Sequence, residues 1–240
     1  MTAFAEPGRL YFFFDYISHN AYLAWHQAPA IAARHSLTLT PVPVLFGAML
    51  SHYRQVGPAE LPAKSSWMLR NVLRKSRIHG IPIAPPASHP FNPLLPLRVS
   101  CAVADEAARL NLVHRLFRAT WAEGRAVNEP ATLHRLLAEQ DLPADALLAA
   151  AAAEPAKQQL RENTEQALAQ GIFGVPTMAV RGPPVAGREE GGPGALELFW
   201  GFDDLEYLEM FLSGRDVLSA DRSELAPWAD VRPSAERRRP

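Results

Sequence analysis

Gly171-Ile172-Phe173-Gly174-Val175-Pro176-Thr177 is the stretch on which the reading of this chain turns. It follows a strongly helical segment, Lys157 to Gln170, and runs into the short apolar segment Thr177-Met178-Ala179-Val180. Gly171 sits where a helix end calls for a residue at positive φ. Pro176 denies the next segment one backbone donor, so the turn can offer unpaired backbone groups to a ligand. Alone, the same residues also describe an ordinary helix-to-strand connection with a trans proline. What favours a ligand site is a second feature, near the start of the chain.

There, Leu10 to Phe14 is an apolar and aromatic run too short for a helix, which predicts a buried strand ending at Asp15. Ser18, His19 and Asn20 interrupt the pattern. A helix is expected from Ala21, with Tyr22, Leu23, Trp25 and Ile31 on one side and Pro29 bending or breaking it. Leu37 to Leu45 alternates and reads as a second strand at a proline-containing sheet edge.

From about residue 48 to 170 the pattern is helical. Trp67, Met68, Leu69, Val72 and Leu73 open one helix that stops near Gly80, and a proline-rich connector follows from Pro82 to Pro96. Apolar positions from Leu97 to Trp121 recur at helical spacing and predict one helix ending at Gly124. Asn128-Glu129-Pro130 reads as a further helix start, and Ala144 to Glu154 is helical by propensity. Beyond Val180, Arg181 to Gly194 reads as a Gly/Pro-rich hairpin loop and Leu196 to Trp200 as the returning strand. A last helix follows, with Asp203 as N-cap and Gly214 as stop. The remainder, 216–240, is read as a poorly ordered tail.

Composition narrows the chemistry. With 24 basic and 25 acidic residues among 240, the formal charge is −1, which supplies no electrostatic footprint for nucleic acid or a membrane surface. No run reaches the ~18 apolar residues of a membrane span, and the start of the chain lacks a basic region followed by a long apolar core, so a cytoplasmic protein is expected. One cysteine, Cys101, precludes an internal disulfide, no Cys/His cluster suggests a metal, and its neighbours make Cys101 a buried, inert helix residue.

The order β-α-β, helical insert, α, proline turn, β-β-α outlines an α/β thioredoxin-like fold split by an inserted all-helical domain. The divisions are 8–60 with 166–215 for the split domain and 61–165 for the insert. Phe14-Asp15-Tyr16-Ile17-Ser18 with Tyr22-Leu23-Ala24, Lys64, Asn71 to Arg74, Asn92 with Arg98, Phe173 to Thr177, and Phe199-Trp200-Gly201 with Asp203-Leu205 together resemble the 2-hydroxychromene-2-carboxylate isomerase family. That family is related to kappa-class glutathione transferases and DsbA oxidoreductases, and the likeness spans roughly residues 10 to 213.

The resemblance implies glutathione as cofactor and Ser18 as the catalytic residue, donating a hydrogen bond to its sulfur. A free thiol has a pKa of ~8.5, and lowering it by one unit takes only ~1.4 kcal/mol, within reach of one hydrogen bond and a helix N-terminus. It implies a cis Pro176, with Val175 offering backbone groups to the cysteinyl part, Asp203 taking the γ-glutamyl ammonium and Lys64 a carboxylate. His19, Asn20, Asn92, Arg98 and Trp67 would meet substrate. Plainer roles stand beside these: helix caps for Ser18 and Asp203, a solvated surface residue for Lys64, core packing for Trp67, and an exposed polar loop for His19, which otherwise assists proton transfer. Where the family usually has Pro-Tyr after the serine, this chain has His19-Asn20; Asn71 replaces a common Asp, and Asp204 a common Arg, reversing a charge beside Asp203.

The implied activity is glutathione-dependent cis-trans isomerisation of an unsaturated aromatic 2-oxo acid, as in aromatic catabolism, by a homodimer. A kappa-like glutathione transferase is the alternative enzyme. The substitutions at 19, 20, 71 and 204 motivate a third reading, a non-catalytic binding protein on a degenerate thioredoxin scaffold.

Overall fold

The computed structural model describes residues 4, 6–181, 196–218 and 226–232. The expected hairpin loop, apart from Arg181, and most of the expected tail lie outside these residues. In the tail, Ala226–Ala229 forms one helical turn.

Strand β1 (Arg9–Phe14) leads to helix α1 (His19–Arg34) and strand β2 (Thr38–Pro43). Six helices and a short 3-10 turn then precede the return to the sheet: α2 (Phe46–His52), α3 (Pro62–His79), α4 (Leu94–Ala102), α5 (Glu106–Trp121), α6 (Pro130–Ala138) and α7 (Ala144–Ala152). Helix α8 (Glu154–Ala169) delivers the chain to β3 (Thr177–Arg181), β4 (Leu196–Trp200) and α9 (Leu205–Leu212). Among the described residues the sheet order is β2-β1-β3-β4, with β1 parallel to β2 and antiparallel to β3. This is a thioredoxin-like sheet, and β2, with Pro41 and Pro43, lies at its edge.

β1 is central because it is apolar on both faces. Leu10, Phe12 and Phe14 face the large core under α1 and the helical segment, whereas Tyr11 and Phe13 face a smaller core with Met49, Ala167, Ile172 and Val175. On the first face Phe12 packs edge-on against Trp25 with centroids 5.2 Å apart, and Phe14 meets Phe117 at 5.3 Å. Truncating a ring buried like these costs about 3–5 kcal/mol, more than any single surface contact. Because α5 supplies Phe117, the helical segment and the sheet share one core.

Several expectations are corrected. Pro29 does not break α1, which runs unbroken through it. The single helix expected from Leu97 to Trp121 is two, because Asp105 caps α5 by accepting from Ala108 N at 2.7 Å. Cys101 is half-buried in α4; burial pushes its thiol up to about 12, which keeps it inert. Trp67 is 59% exposed on α3 and does not belong to the core. The expected division at 165/166 falls within α8, whose Asn163 donates to Pro43 O and whose Thr164 hydroxyl accepts from Leu45 N.

Gly171 has the expected positive φ, +79°, and Ile172 N bonds back to Ala167 O to close α8. At Gly174 the constraint is spatial, since a Cβ there would lie 2.7 Å from the indole nitrogen of Trp200. Gly174→Ala is expected to lower stability by about 1–3 kcal/mol, the usual range for overpacking. Urea unfolding of Gly174→Ala, Trp200→Ala and the double variant checks this: much of the alanine cost should vanish once the indole is removed.

Candidate active site

Ser18 occupies the corner between β1 and α1. Its N–H donates to Asp15 O at 3.1 Å, which folds the chain back at the end of the strand. Its φ and ψ of −93° and 109° are those of a helix cap, and its Oγ accepts from Ala21 N at 3.1 Å. The same oxygen lies 3.4 Å from Val175 O, to which it donates, across 157 positions of sequence. Ser18 is thus both a cap and the contact with the proline turn. α1 has no acidic residue in its first turn, so its positive end is not neutralised locally.

The Val175-Pro176 bond is cis, as the resemblance implies. The turn is held from both sides: Thr177 Oγ1 donates to Gly174 O at 2.7 Å, and Gly201 N to Pro176 O at 2.8 Å. Among the described residues Val175 N–H makes no hydrogen bond. The corner therefore combines a hydroxyl, a helix N-terminus without a local acidic residue and an unpaired backbone N–H, groups that a cysteinyl peptide can use. These residues fit glutathione on that ground.

Behind Ser18 the sequence reading needs correction. His19 is the first residue of α1 and only 7% exposed, not an exposed loop residue. Its ring lies 5.7 Å from Trp121 and 6.3 Å from His89, while Nδ1 is buried without a partner. Burial, with the positive charges of His89 and Lys75 adding to it, pushes this imidazole down to about 4. His89 is itself anchored to Ile17 O at 3.0 Å. Asn20 follows on α1, half-buried, with its Oδ1 unpartnered.

The residue that sequence reasoning missed is Lys75. It is buried, its Nζ lies 2.8 Å from Asp203 Oδ2, and it sits 5.2 Å from the centre of the Phe202 ring. Asp203 is therefore an ion-pair partner; the N-cap position of α9 belongs to Asp204, whose carboxylate accepts from Trp200 N. The other expected site residues have separate surroundings. Lys64 is exposed in the first turn of α3, and Asn92 is exposed and accepts from Leu94 N at the start of α4. Arg98 exerts its charge on Glu154, at the far end of α8 from the proline turn. Among the described residues no hydrogen bond, ion pair or ring contact joins Lys64, Trp67, Asn92 or Arg98 to the Ser18 group.

Asp15 is the second group missed. Fully buried, it accepts from Ile17 N and from Phe46 N at 3.2 and 3.0 Å, the latter supplying the acceptor that α2 lacks at its own N-terminus. Burial outweighs these donors and raises its carboxyl to about 7. Elsewhere, a cleft of about 390 Å³ is lined by Asn111, His114, Arg115, Arg118, Glu123 and Gln140. Arg115 there is paired with Glu123 and Glu139, and none of the lining residues belongs to the Ser18 group. Among the described residues no group of three or more His, Cys, Asp or Glu is placed to hold a metal, and no helix is long and apolar enough to cross a membrane.

The model of the DSBA-like thioredoxin domain matches residues 9–213, and the chain belongs to that family. Among its relatives, 2-hydroxychromene-2-carboxylate isomerase of Pseudomonas putida is 28% identical over 218 residues, covering 88% of this chain and 98% of that one. Glutathione S-transferase kappa 2 of Caenorhabditis elegans is 27% identical over 216 residues, covering 84% and 90%. A solved 2-hydroxychromene-2-carboxylate isomerase superposes with a TM-score of 0.74 at 24% identity, covering 89% of this chain and 98% of its own. The cytosolic disulfide reductase DsbM of Pseudomonas aeruginosa, solved with GSH, shares the fold at a TM-score of 0.58 and 20% identity, covering 89% and 98%. The chain is thus related to isomerases and to glutathione transferases.

The buried imidazole and the buried carboxyl give opposite pH dependences. His19 has a folded pKa near 4 against 6.5 when exposed, so its contribution to stability is complete above 6.5 and lost as pH falls toward 4. Asp15, raised from 3.8 to about 7, contributes fully below 3.8 and loses that contribution as pH rises toward 7. The wild-type profile is therefore flattened between pH 4 and 7. Comparison with His19→Gln isolates the histidine: wild-type stability relative to the variant should fall between pH 6.5 and 4 by on the order of 3 kcal/mol. Urea unfolding across this range checks it, and a constant difference would contradict a neutral buried His19.

Proposed function

We propose that this chain is a glutathione-dependent cis-trans isomerase acting on an unsaturated aromatic 2-oxo acid. The observation that carries this reading is the position of Ser18 Oγ, at the N-terminus of α1 and 3.4 Å from the carbonyl of Val175 beside a cis proline. Bound glutathione would supply a sulfur nucleophile that adds reversibly to the conjugated double bond and leaves once the resulting single bond has rotated.

The chain's own residues serve that chemistry in separable ways. Val175 presents N–H and C=O to an extended peptide in strand fashion. Ser18 turns its hydroxyl hydrogen from Val175 O toward a sulfur anion, and the first turn of α1 adds its positive end. The buried side chains behind Ser18 hold that corner rigid, so little reorganisation is needed when charge develops. Asp203 shares its charge between Lys75 and the ammonium of the thiol cofactor.

The related activity is glutathione transfer, favoured by the kappa-class relative. The two differ in thiol balance. With a trans-benzylidenepyruvate-type acid and glutathione, isomerisation followed by proton NMR should proceed with no loss of titratable thiol. Ser18→Ala should lower kcat by about 10²–10³-fold, the cost of removing one donor at a developing anion. Stoichiometric thiol consumption would replace the isomerase with a transferase, and an undiminished rate in Ser18→Ala would remove Ser18 from the mechanism.

A further inference from the structure

Helix α5 turns two different faces outward and inward. Leu112, Val113, Leu116 and Phe117 are fully buried, whereas Asn111, His114, Arg115 and Arg118, at positions i, i+3, i+4 and i+7, line the cleft of about 390 Å³ on the other side. Charge in this cleft is unevenly paired. The Arg115 guanidinium is fully engaged: it donates to both oxygens of Glu123 at 3.0 Å and twice to Glu139 Oε2, at 3.0 and 2.7 Å. Arg125 takes Glu139 Oε1 at 3.0 Å. Arg118 approaches Glu123 only to 3.5 Å; its side chain is 57% exposed and makes no hydrogen bond among the described residues. Three guanidinium groups thus share two carboxylates, and the uncompensated charge lies on Arg118.

An imidazole pair stands beside it. The ring of His26, on α1, lies 5.8 Å from that of His114 and 4.9 Å from that of Tyr22, and its Nε2 is buried without a partner. Tyr22 is committed to Pro82 O. Burial, and then the charges of His114 and Arg118, push His26 down to about 4; burial and the charges of Arg118 and Arg115 lower His114 as well. Both rings are therefore neutral near pH 7, each with one N–H to donate. Around the pair stand Tyr22 from α1, Arg115 and Arg118 from α5, Glu123 and Arg125 from the segment after α5, and Glu139 from the end of α6. An anion seated among them would compensate Arg118 and favour a proton on His114.

We propose that this cleft is a second ligand site, separate from the Ser18 corner, which takes a dianionic oxyanion of the phosphate-monoester class on Arg118 and His114, with the amides of Asn111 and Gln140 at its rim. A guanidinium fork beside an imidazole suits a group with several acceptor oxygens. Glu123 does not oppose it, because Arg115 holds both of its oxygens. A water molecule takes only about 30 Å³ in the liquid, so the cleft has room for the organic part of an ester as well.

The test uses the full chain and inorganic sulfate, which keeps both charges across the range in which histidine titrates, so any pH dependence belongs to the protein. Proton NMR of the histidine ring C–H signals, assigned with His26→Gln and His114→Gln, should show a saturable shift at His114, with a dissociation constant on the order of 1 mM. Sulfate should raise the pKa of His114 and bind more tightly as the pH falls from about 7.5 to about 5.5. Arg118→Gln should weaken binding at least about tenfold. Glu123→Gln should strengthen it, opposite in sign, whereas general loosening of the fold would weaken binding in both variants. Ser18→Ala should bind sulfate as the wild type does. Inorganic phosphate and phenyl phosphate, titrated in parallel, name the source: tighter binding of the ester assigns the cleft to an organic phosphate, tighter binding of the free ion to phosphate itself, and either result supports the site. No saturable shift at about ten times the expected constant, sulfate binding undiminished in Arg118→Gln, or shifts confined to His19 and His89 beside Ser18 would overturn the proposal.

Discussion

The antiparallel pairing of β1 with β3 brings the two halves of the candidate site together. With Phe13 opposite Thr177 and Leu10 opposite Val180, the end of β1 is set beside the start of β3. Ser18 and Val175, separated by 157 positions, meet only because this register holds. A slip of one residue would turn Phe12 and Phe14 out of the large core and Phe13 into it. The hydrophobic alternation of one strand therefore fixes the geometry of the polar corner, and the helical segment reinforces it by placing Phe117 against Phe14 and Tyr16.

Once that corner exists, its chemistry follows from what occupies it. Redox chemistry by the chain would need its own thiolate here, and Ser18 has none to give. The lone Cys101 lies in α4 with its thiol pushed up to about 12. A hydroxyl at the positive end of a helix can stabilise a thiolate brought by a ligand, and on the proposed reading the Val175 backbone would receive that ligand. Asp15 and His19 then support the corner from beneath: one ties the end of β1 to α2, and the other packs under the first turn of α1.

Much of this was legible in the sequence because the signals were local. The aromatic run at 10–14, the positive φ at Gly171 and the apolar segment after Pro176 each follow from residues within a few positions of one another. The Pro176 turn is read from its own residues and Ser18 from the resemblance, and the two do meet. What was not legible depended on distant partners. Lys75 stands in a helix among other basic residues, and its distinguishing neighbour, Asp203, is 128 positions away. His19 looked like loop because Ser18, His19 and Asn20 are all cap-forming or polar, whereas the helix starts immediately after Ser18 and buries the ring against Trp121 and His89. The spacing of Val99, Val103 and Ala107 is helical on both sides of the break at Asp105, so periodicity alone could not reveal the cap that divides α4 from α5. Lys64, Asn92, Arg98 and Trp67 carry expectations drawn from resemblance, and among the described residues no hydrogen bond, ion pair or ring contact joins them to the Ser18 group.

On the proposed reading Ser18 stabilises a thiolate that the protein does not itself contain. Ultraviolet titration of the thiolate of bound glutathione, in the wild type and in Ser18→Ala, tests this most directly. The bound thiol should titrate at least about one unit below the free value of ~8.5 in the wild type and move back toward it in Ser18→Ala. Equal pKa values and equal glutathione affinity in the two proteins would leave Ser18 as a helix cap alone and contradict the account.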